Sequence, residues 1–272
     1  MGRARLIDAH VHFWPGRLDW MGDELRALHR PFGPEDLRPS LEANGVDSVV
    51  VVEAQTNVDE TRGLLALAET VDVVGGVVGW VDLTAPDVGD VLAELCESRY
   101  LVGIRHHVHD EPDPNWLLRA DVRRGLRAVE AAGLAYDLLL RPRELPAGLA
   151  VARAFPELRV VIDHLAKPPV ASGELEPWAT LMAPFAELEH VWCKVSGLVV
   201  EADWERWEPA HLEPYLARVV EWFGEERLIF GSDWPVCLLA ASYDEVVEAY
   251  GLDRFGGNAA TFYRLPSASR HE

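Results

Sequence analysis

Apolar and polar positions follow two rhythms along this chain. Eight short runs rich in Val, Ile and Leu lie at 6–12, 48–54, 73–81, 101–107, 134–140, 159–165, 191–197 and 227–233, their starts roughly 25–42 residues apart. That spacing predicts strand–loop–helix–loop units. The runs are nearly continuous in apolar character, as suits parallel strands covered on both faces. Helical patterns fill the gaps at 34–44, 60–69, 88–98, 119–132, 144–155, 177–187, 213–223 and 242–250. Asn44-Gly45 and Gly224 supply helix stops. Eight strands alternating with helices predict an α/β fold, a closed (β/α)8 TIM barrel with room for distortion. The segment 13–31 makes a long loop after strand 1, rich in Trp14, Trp20 and Met21, of the kind that often covers a barrel's active face. A doubly wound open sheet is the alternative, but no Gly-rich phosphate loop follows the first strand. The 272 residues suit one barrel of ~250 residues, and no linker divides them, so 1–272 is read as a single domain.

Chemistry gathers at the carboxyl ends of these strands. In Asp8-Ala9-His10-Val11-His12, strict alternation puts Asp8, His10 and His12 on one face and Ile7, Ala9 and Val11 on the other. The polar face is expected inside the barrel, where two imidazoles one pleat apart can hold one metal ion. Asp233 ends the last strand, beside strand 1 after closure, placed to ligate the same metal and to take a proton from water. His164 follows Val160 and Ile162, so it points inward if Ile162 does, as a third imidazole ligand or a neutral group polarising a carbonyl. Lys194 sits within strand 7; outward it would be buried beneath a helix, so it is expected inward, meeting water or a substrate oxygen. Arg105 shares a face with His107 in strand 4 and is a ready clamp for a carbonyl or carboxylate. Trp80 and Trp234 are further candidates for the substrate wall. Asp82, at the end of strand 3 with Trp80, and Tyr136 and Asp137, in strand 5, are weaker candidates whose direction alternation does not fix.

Composition narrows the classes. A net charge of -20 opposes binding to nucleic acid. No stretch approaches the ~20 apolar residues of a membrane span. The first residues run straight into strand 1 with no signal peptide, and the three cysteines make no disulfide framework, so a cytoplasmic protein is expected. Among 25 basic residues only Lys167 and Lys194 are lysines, and both fall in site segments.

These residues resemble the amidohydrolase superfamily over nearly the whole chain. The closest likeness is its lactonase branch, which includes fuconolactonase, rhamnonolactonase and the pyrone-dicarboxylate and sulfomuconolactone hydrolases. The likeness rests on Ile7-Asp8-Ala9-His10-Val11-His12-Phe13-Trp14, Gly103-Ile104-Arg105-His106, Asp163-His164-Leu165-Ala166-Lys167-Pro168, Lys194-Val195-Ser196-Gly197-Leu198, Gly231-Ser232-Asp233-Trp234-Pro235 and Gly257-Asn258-Ala259-Ala260. Asp110-Glu111-Pro112-Asp113-Pro114 is most similar to the sugar-lactone members. The resemblance implies Asp233 as general base, His10, His12 and His164 around the reaction centre, and Arg105 and Lys194 on substrate oxygens. Strand 4 lacks a bridging carboxylate or lysine and strand 5 lacks a histidine, which departs from the superfamily's two-metal pattern. One divalent metal, zinc, held by His10, His12, Asp233 and His164 is one expectation; a metal-free site is the other, since some members of the branch work without metal. The expected function is hydrolysis of a small-molecule lactone, a sugar-acid lactone first. A metal-dependent decarboxylase of an aromatic or muconate-type acid and a non-catalytic sugar-acid-binding barrel are the alternatives. The sequence leaves the oligomeric state open.

Overall fold

Eight parallel strands pair in chain order in the computed structural model, which describes residues 5–266. They are β1 Ile7–Val11, β2 Ser48–Val52, β3 Val74–Gly79, β4 Leu101–His106, β5 Ala135–Leu138, β6 Arg159–Ile162, β7 Val191–Val195 and β8 Leu228–Phe230. The chain beyond β8 closes the ring: Asp233 N donates to His10 O at 2.9 Å and His12 N to Trp234 O at 2.7 Å. The expected (β/α)8 barrel is therefore present. Helices α1 Pro34–Ala43, α2 Val58–Ala68, α3 Val88–Leu95, α4 Ala120–Ala131, α5 Leu145–Ala154, α6 Trp178–Met182, α7 Pro209–Phe223 and α8 Tyr243–Tyr250 cover its outside. Two short helices, α9 Leu252–Phe255 and α10 Asn258–Phe262, follow and escape the periodicity because each is about one turn. No helix among the described residues is long and apolar enough to cross a membrane.

Alternation sorts the strand residues into two cores. Val49, Val51, Val77, Ile104, Val160 and Ile162 pack outward beneath the helices. Val50, Val52, Val78, Ala135, Val161 and Ile229 pack together inside, where Phe262, Tyr263 and Leu265 close the amino-terminal end. Helix boundaries moved where proline chemistry decides. Pro209 takes the first position of α7, where its missing amide costs no intrahelical bond, so this helix begins four residues earlier than the 213–223 pattern. The expected 177–187 helix instead tightens into a 3-10 segment at Ala183–Glu187, where Pro184 lacks a donor.

Strand 1 corrects the strict alternation. Its register against β2 shifts between Asp8 and Val11, a bulge-like irregularity. Ile7 and Ala9 join the interior core rather than the outer one. Asp8 turns away from the site: its carboxylate accepts from Ser232 N at 2.8 Å and from the Tyr243 hydroxyl of α8 at 3.0 Å. The irregularity still delivers His10 and His12 to the carboxyl end.

Candidate active site

A cavity of about 400 Å³ opens at the carboxyl ends of the strands, within the ~300–1,000 Å³ usual for small-molecule sites. His12, Arg105, His107, His164 and Asp233 line it from the barrel, and Trp14, Trp20 and Leu25 from the 13–31 loop. The loop is anchored rather than free. Trp14 pairs with Phe32 in an antiparallel bridge, and Trp20 Nε1 donates to Ala54 O at 2.9 Å although its ring is 44% exposed.

Asp233 is the focus of the floor. Its backbone is left-handed, φ 60, an arrangement that non-glycine residues hold only where surrounding contacts enforce it. Three imidazole nitrogens surround Asp233 Oδ1: His12 Nε2 at 3.4 Å, His10 Nε2 at 3.8 Å and His164 Nε2 at 4.0 Å. His12 Nδ1 lies 2.8 Å from Val52 O. A carbonyl only accepts, so Nδ1 carries a proton, and Nε2 is the atom left facing the Asp233 carboxylate. A proton on Nε2 or a bound cation satisfies that contact. Burial drives both His10 and His164 well below the usual imidazole range, which favours their neutral forms. Burial alone would raise the Asp233 carboxyl, but His164, His12 and Lys167 outweigh it and hold it low. Imidazoles around a carboxylate form a metal-type donor set. His10, His12 and Asp233 each offer one atom, all within 4.8 Å of one another. Ligands of a tetrahedral zinc lie about 3.4 Å apart, so the residues fit a single ion with little adjustment.

His164 reaches this centre by a route alternation does not describe. Val160 and Ile162 face outward, so the condition on which alternation would turn His164 inward is not met. The strand stops at Ile162, and residues 164–167 adopt φ 53, 53, 57 and 52, a left-handed turn closed by Lys167 N on His164 O at 2.7 Å. Ser196 Oγ holds His164 Nδ1 at 2.9 Å, and Trp178 Nε1 pins Leu165 O at 2.6 Å. A Cβ at Gly197 would come within 2.5 Å of His164 Nδ1, so only glycine fits beneath the ring.

Beneath the floor lies a buried charge cluster. Lys194 Nζ stands 2.6 Å from Asp137 Oδ2 and 3.0 Å from Asp163 Oδ1, all three residues without solvent exposure. Tyr263, from the plug at the other end, donates to Asp137 at 2.8 Å. Lys194 is thus held below the cavity lining, and the expected contact with a substrate oxygen gives way to ion pairing. Arg105 does reach the lining, yet its guanidinium is largely engaged: Nε donates to Glu53 Oε1 at 2.8 Å, one terminal nitrogen meets Asp163 at 3.3 Å and His10 Nε2 at 3.2 Å, and the other donates to Glu53 O. His107 lines the cavity with Nε2 3.0 Å from Glu53. Trp80 and Trp234 do not line it. Trp80 donates to His106 Nδ1 at 3.0 Å, while Trp234 packs edge-on against Phe13 and Phe32.

Asp163 and Glu53 were missed. Asp163 continues the inward phase of Val161, a signal hidden by the opposite choice of phase for strand 6. Glu53 is the single charge in the 48–54 run, among four valines, which marks it as paired.

The amidohydrolase family pattern matches residues 7–265. The chain is 42% identical to an L-fucono-1,5-lactonase of Burkholderia ambifaria over 97% of its own length and 98% of that protein. It is 39% identical to an L-fucono-1,5-lactonase of Burkholderia multivorans, covering 98% of both. A crystal structure of an amidohydrolase from Burkholderia multivorans with bound zinc superimposes with a TM-score of 0.92 at 38% identity, over 97% of this chain and 100% of that one. With this barrel, this donor set and these relatives, the chain belongs to the amidohydrolase family.

Proposed function

We propose that this protein opens the ring of a sugar-acid lactone, with Asp233 as general base. The observation that carries the reading is the Asp233 carboxylate at the cavity floor, faced by three imidazole nitrogens. Identity near 40% to two L-fucono-1,5-lactonases over almost the full length supports the substrate class.

Asp233 takes a proton from water, and the resulting hydroxide attacks the lactone carbonyl. Arg105, and His164 with its proton on Nε2, line the cavity where they would stabilise the oxygen that gains charge; removing such a stabiliser typically costs ~10²–10³ in rate. The ring C–O bond then breaks, and Asp233 returns its proton to the departing alkoxide. The product acid ionises and releases one proton at neutral pH. His10, His12 and Asp233, with His164 beside them, would hold one divalent metal, zinc by the donor set and by the zinc-bound relative. When bound, such an ion polarises the carbonyl and lowers the pKa of water toward ~7. Val52 O and Ser196 Oγ orient His12 and His164. Trp14 and Trp20 narrow the mouth against bulk water.

The test is a pH-indicator screen of aldonic lactones with and without chelator. Proton release from a sugar lactone is the expected result, and loss of activity with the metal supports the metal assignment. Release of carbon dioxide from an aromatic acid, with no lactone opened, would overturn the reading.

A further inference from the structure

One wall of the cavity carries charged groups that take no direct part in the proton transfer, although the Lys167 charge helps to hold the Asp233 carboxyl low. Lys167 ends the left-handed turn that starts at His164, and both side chains line the cavity. Residues 165 and 166, between them, are buried in the hydrophobic core. The turn therefore aims the ammonium and the imidazole into one space. Glu201 stands across from Lys167, with Oε1 3.5 Å from Nζ, and its Oε2 is 3.5 Å from an Arg141 terminal nitrogen. The Lys167 and Glu201 side chains are only 18% and 17% exposed.

These separations exceed the ~2.9 Å of a formed N–H···O bond. Among the described residues, nothing completes a hydrogen bond to Lys167 Nζ or to the Glu201 carboxylate. Half-buried charges normally saturate their donors and acceptors, as Lys194 does below them. Here a donor and an acceptor are held side by side, too far apart to satisfy each other. A hydroxyl both donates and accepts, so a pair of neighbouring hydroxyls fits between them, giving to Glu201 and taking from Lys167 and Arg141.

We infer that Lys167, Glu201 and Arg141 form a hydroxyl-recognition subsite that selects uncharged, polyhydroxylated lactones and rejects lactones bearing a carboxylate. This deepens the lactonase reading and rests on it. The rejection follows from charge. Glu201 and Asp110, on the same lining, balance Lys167 and Arg141, so the wall offers no net attraction to an anion. The overall charge of -20 opposes its approach. A substrate carboxylate would have to displace Glu201 from its two cations.

The experiment compares the wild-type chain with Glu201→Gln and Lys167→Met on three probes: a six-carbon aldonic 1,5-lactone, unsubstituted δ-valerolactone and muconolactone. Folding of each variant is checked by circular dichroism. Each variant is expected to lower the ratio of kcat/KM for the sugar lactone to that for δ-valerolactone by about 10–100-fold, the worth of one charge-assisted hydrogen bond, mainly through KM. Glu201→Gln is also expected to raise muconolactone use relative to the sugar lactone, a gain that misfolding cannot produce. Unchanged ratios, or equal losses on the sugar lactone and δ-valerolactone, overturn the subsite while leaving the lactonase reading intact. A wild-type chain that opens none of the three overturns both.

Discussion

Lys194→Met is the sharpest test of the buried support beneath the site. Methionine matches the length of the stem but removes an ammonium that lies 2.6 Å from Asp137, 3.0 Å from Asp163 and 3.1 Å from His10 Nδ1. Asp163 keeps Arg105 at 3.3 Å. Among the described residues, Asp137 then keeps the Tyr263 hydroxyl as its hydrogen-bond donor. Breaking a buried ion pair by removing one partner costs about 3–5 kcal/mol. For a chain of this size that is roughly 6–20 °C in Tm. The loss should depend on pH. Burial already lifts the Asp137 carboxyl to about 6 against the pull of Lys194, and removing the ammonium lifts it further. A carboxyl whose folded pKa lies above its unfolded value contributes stability at low pH and loses it as pH rises through the folded value. The variant should therefore be closer to wild type at pH 5 than at pH 8. Asp137→Asn added to Lys194→Met removes the stranded carboxylate and should recover part of the loss. Urea unfolding followed by tryptophan fluorescence at both pH values measures all three effects. A Lys194→Met protein within about 1 kcal/mol of wild type at pH 8, or one that Asp137→Asn destabilises further, refutes the reasoning.

Two more substitutions follow from local geometry. Gly197→Ala puts a methyl group 2.5 Å from His164 Nδ1 at a backbone φ of +68, so His164 must move. Displacement of a reacting group by ~1 Å costs about 100-fold, and near-wild-type kcat/KM in a folded Gly197→Ala protein would contradict the placement of His164. Glu60 accepts from the amides of Ala54 and Gln55 below the cavity mouth, yet burial, then Glu53, raises its carboxyl from 4.5 to about 7. Because the folded value is raised, its contribution is complete below pH 4.5 and fades as pH rises to 7. After allowance for solvent screening the change amounts to ~1–3 kcal/mol. Glu60→Gln should flatten the stability profile across that window, and parallel profiles would refute the assignment.

The strand rhythm made the barrel legible because each parallel strand is apolar on both faces and each covering helix leaves its own period. The carboxyl ends were harder to read. Alternation holds only within a regular strand, and the site lies where regularity stops. Asp8 left the expected face at an irregular pairing, while His164 reached the centre through four left-handed residues that no pattern of two could foresee. Asp233 and His12 were legible because their positions follow from barrel closure. Lys194 was read as inward, but its depth was not, since depth depends on the length of β7 and on Asp137 and Asp163 arriving from neighbouring strands. Trp80 and Trp234 show the limit of composition: a large ring at a strand end can serve rim packing as readily as a ligand.

The central claim is that Asp233 performs the proton transfer in lactone opening. The direct measurement is proton release from an aldonic 1,5-lactone by wild type and by Asp233→Asn at equal concentration, with the folded state of both verified. The account predicts turnover by wild type and a loss of at least ~10³-fold in kcat for the variant, since the amide cannot accept the water's proton. Comparable turnover by a folded Asp233→Asn protein would contradict it.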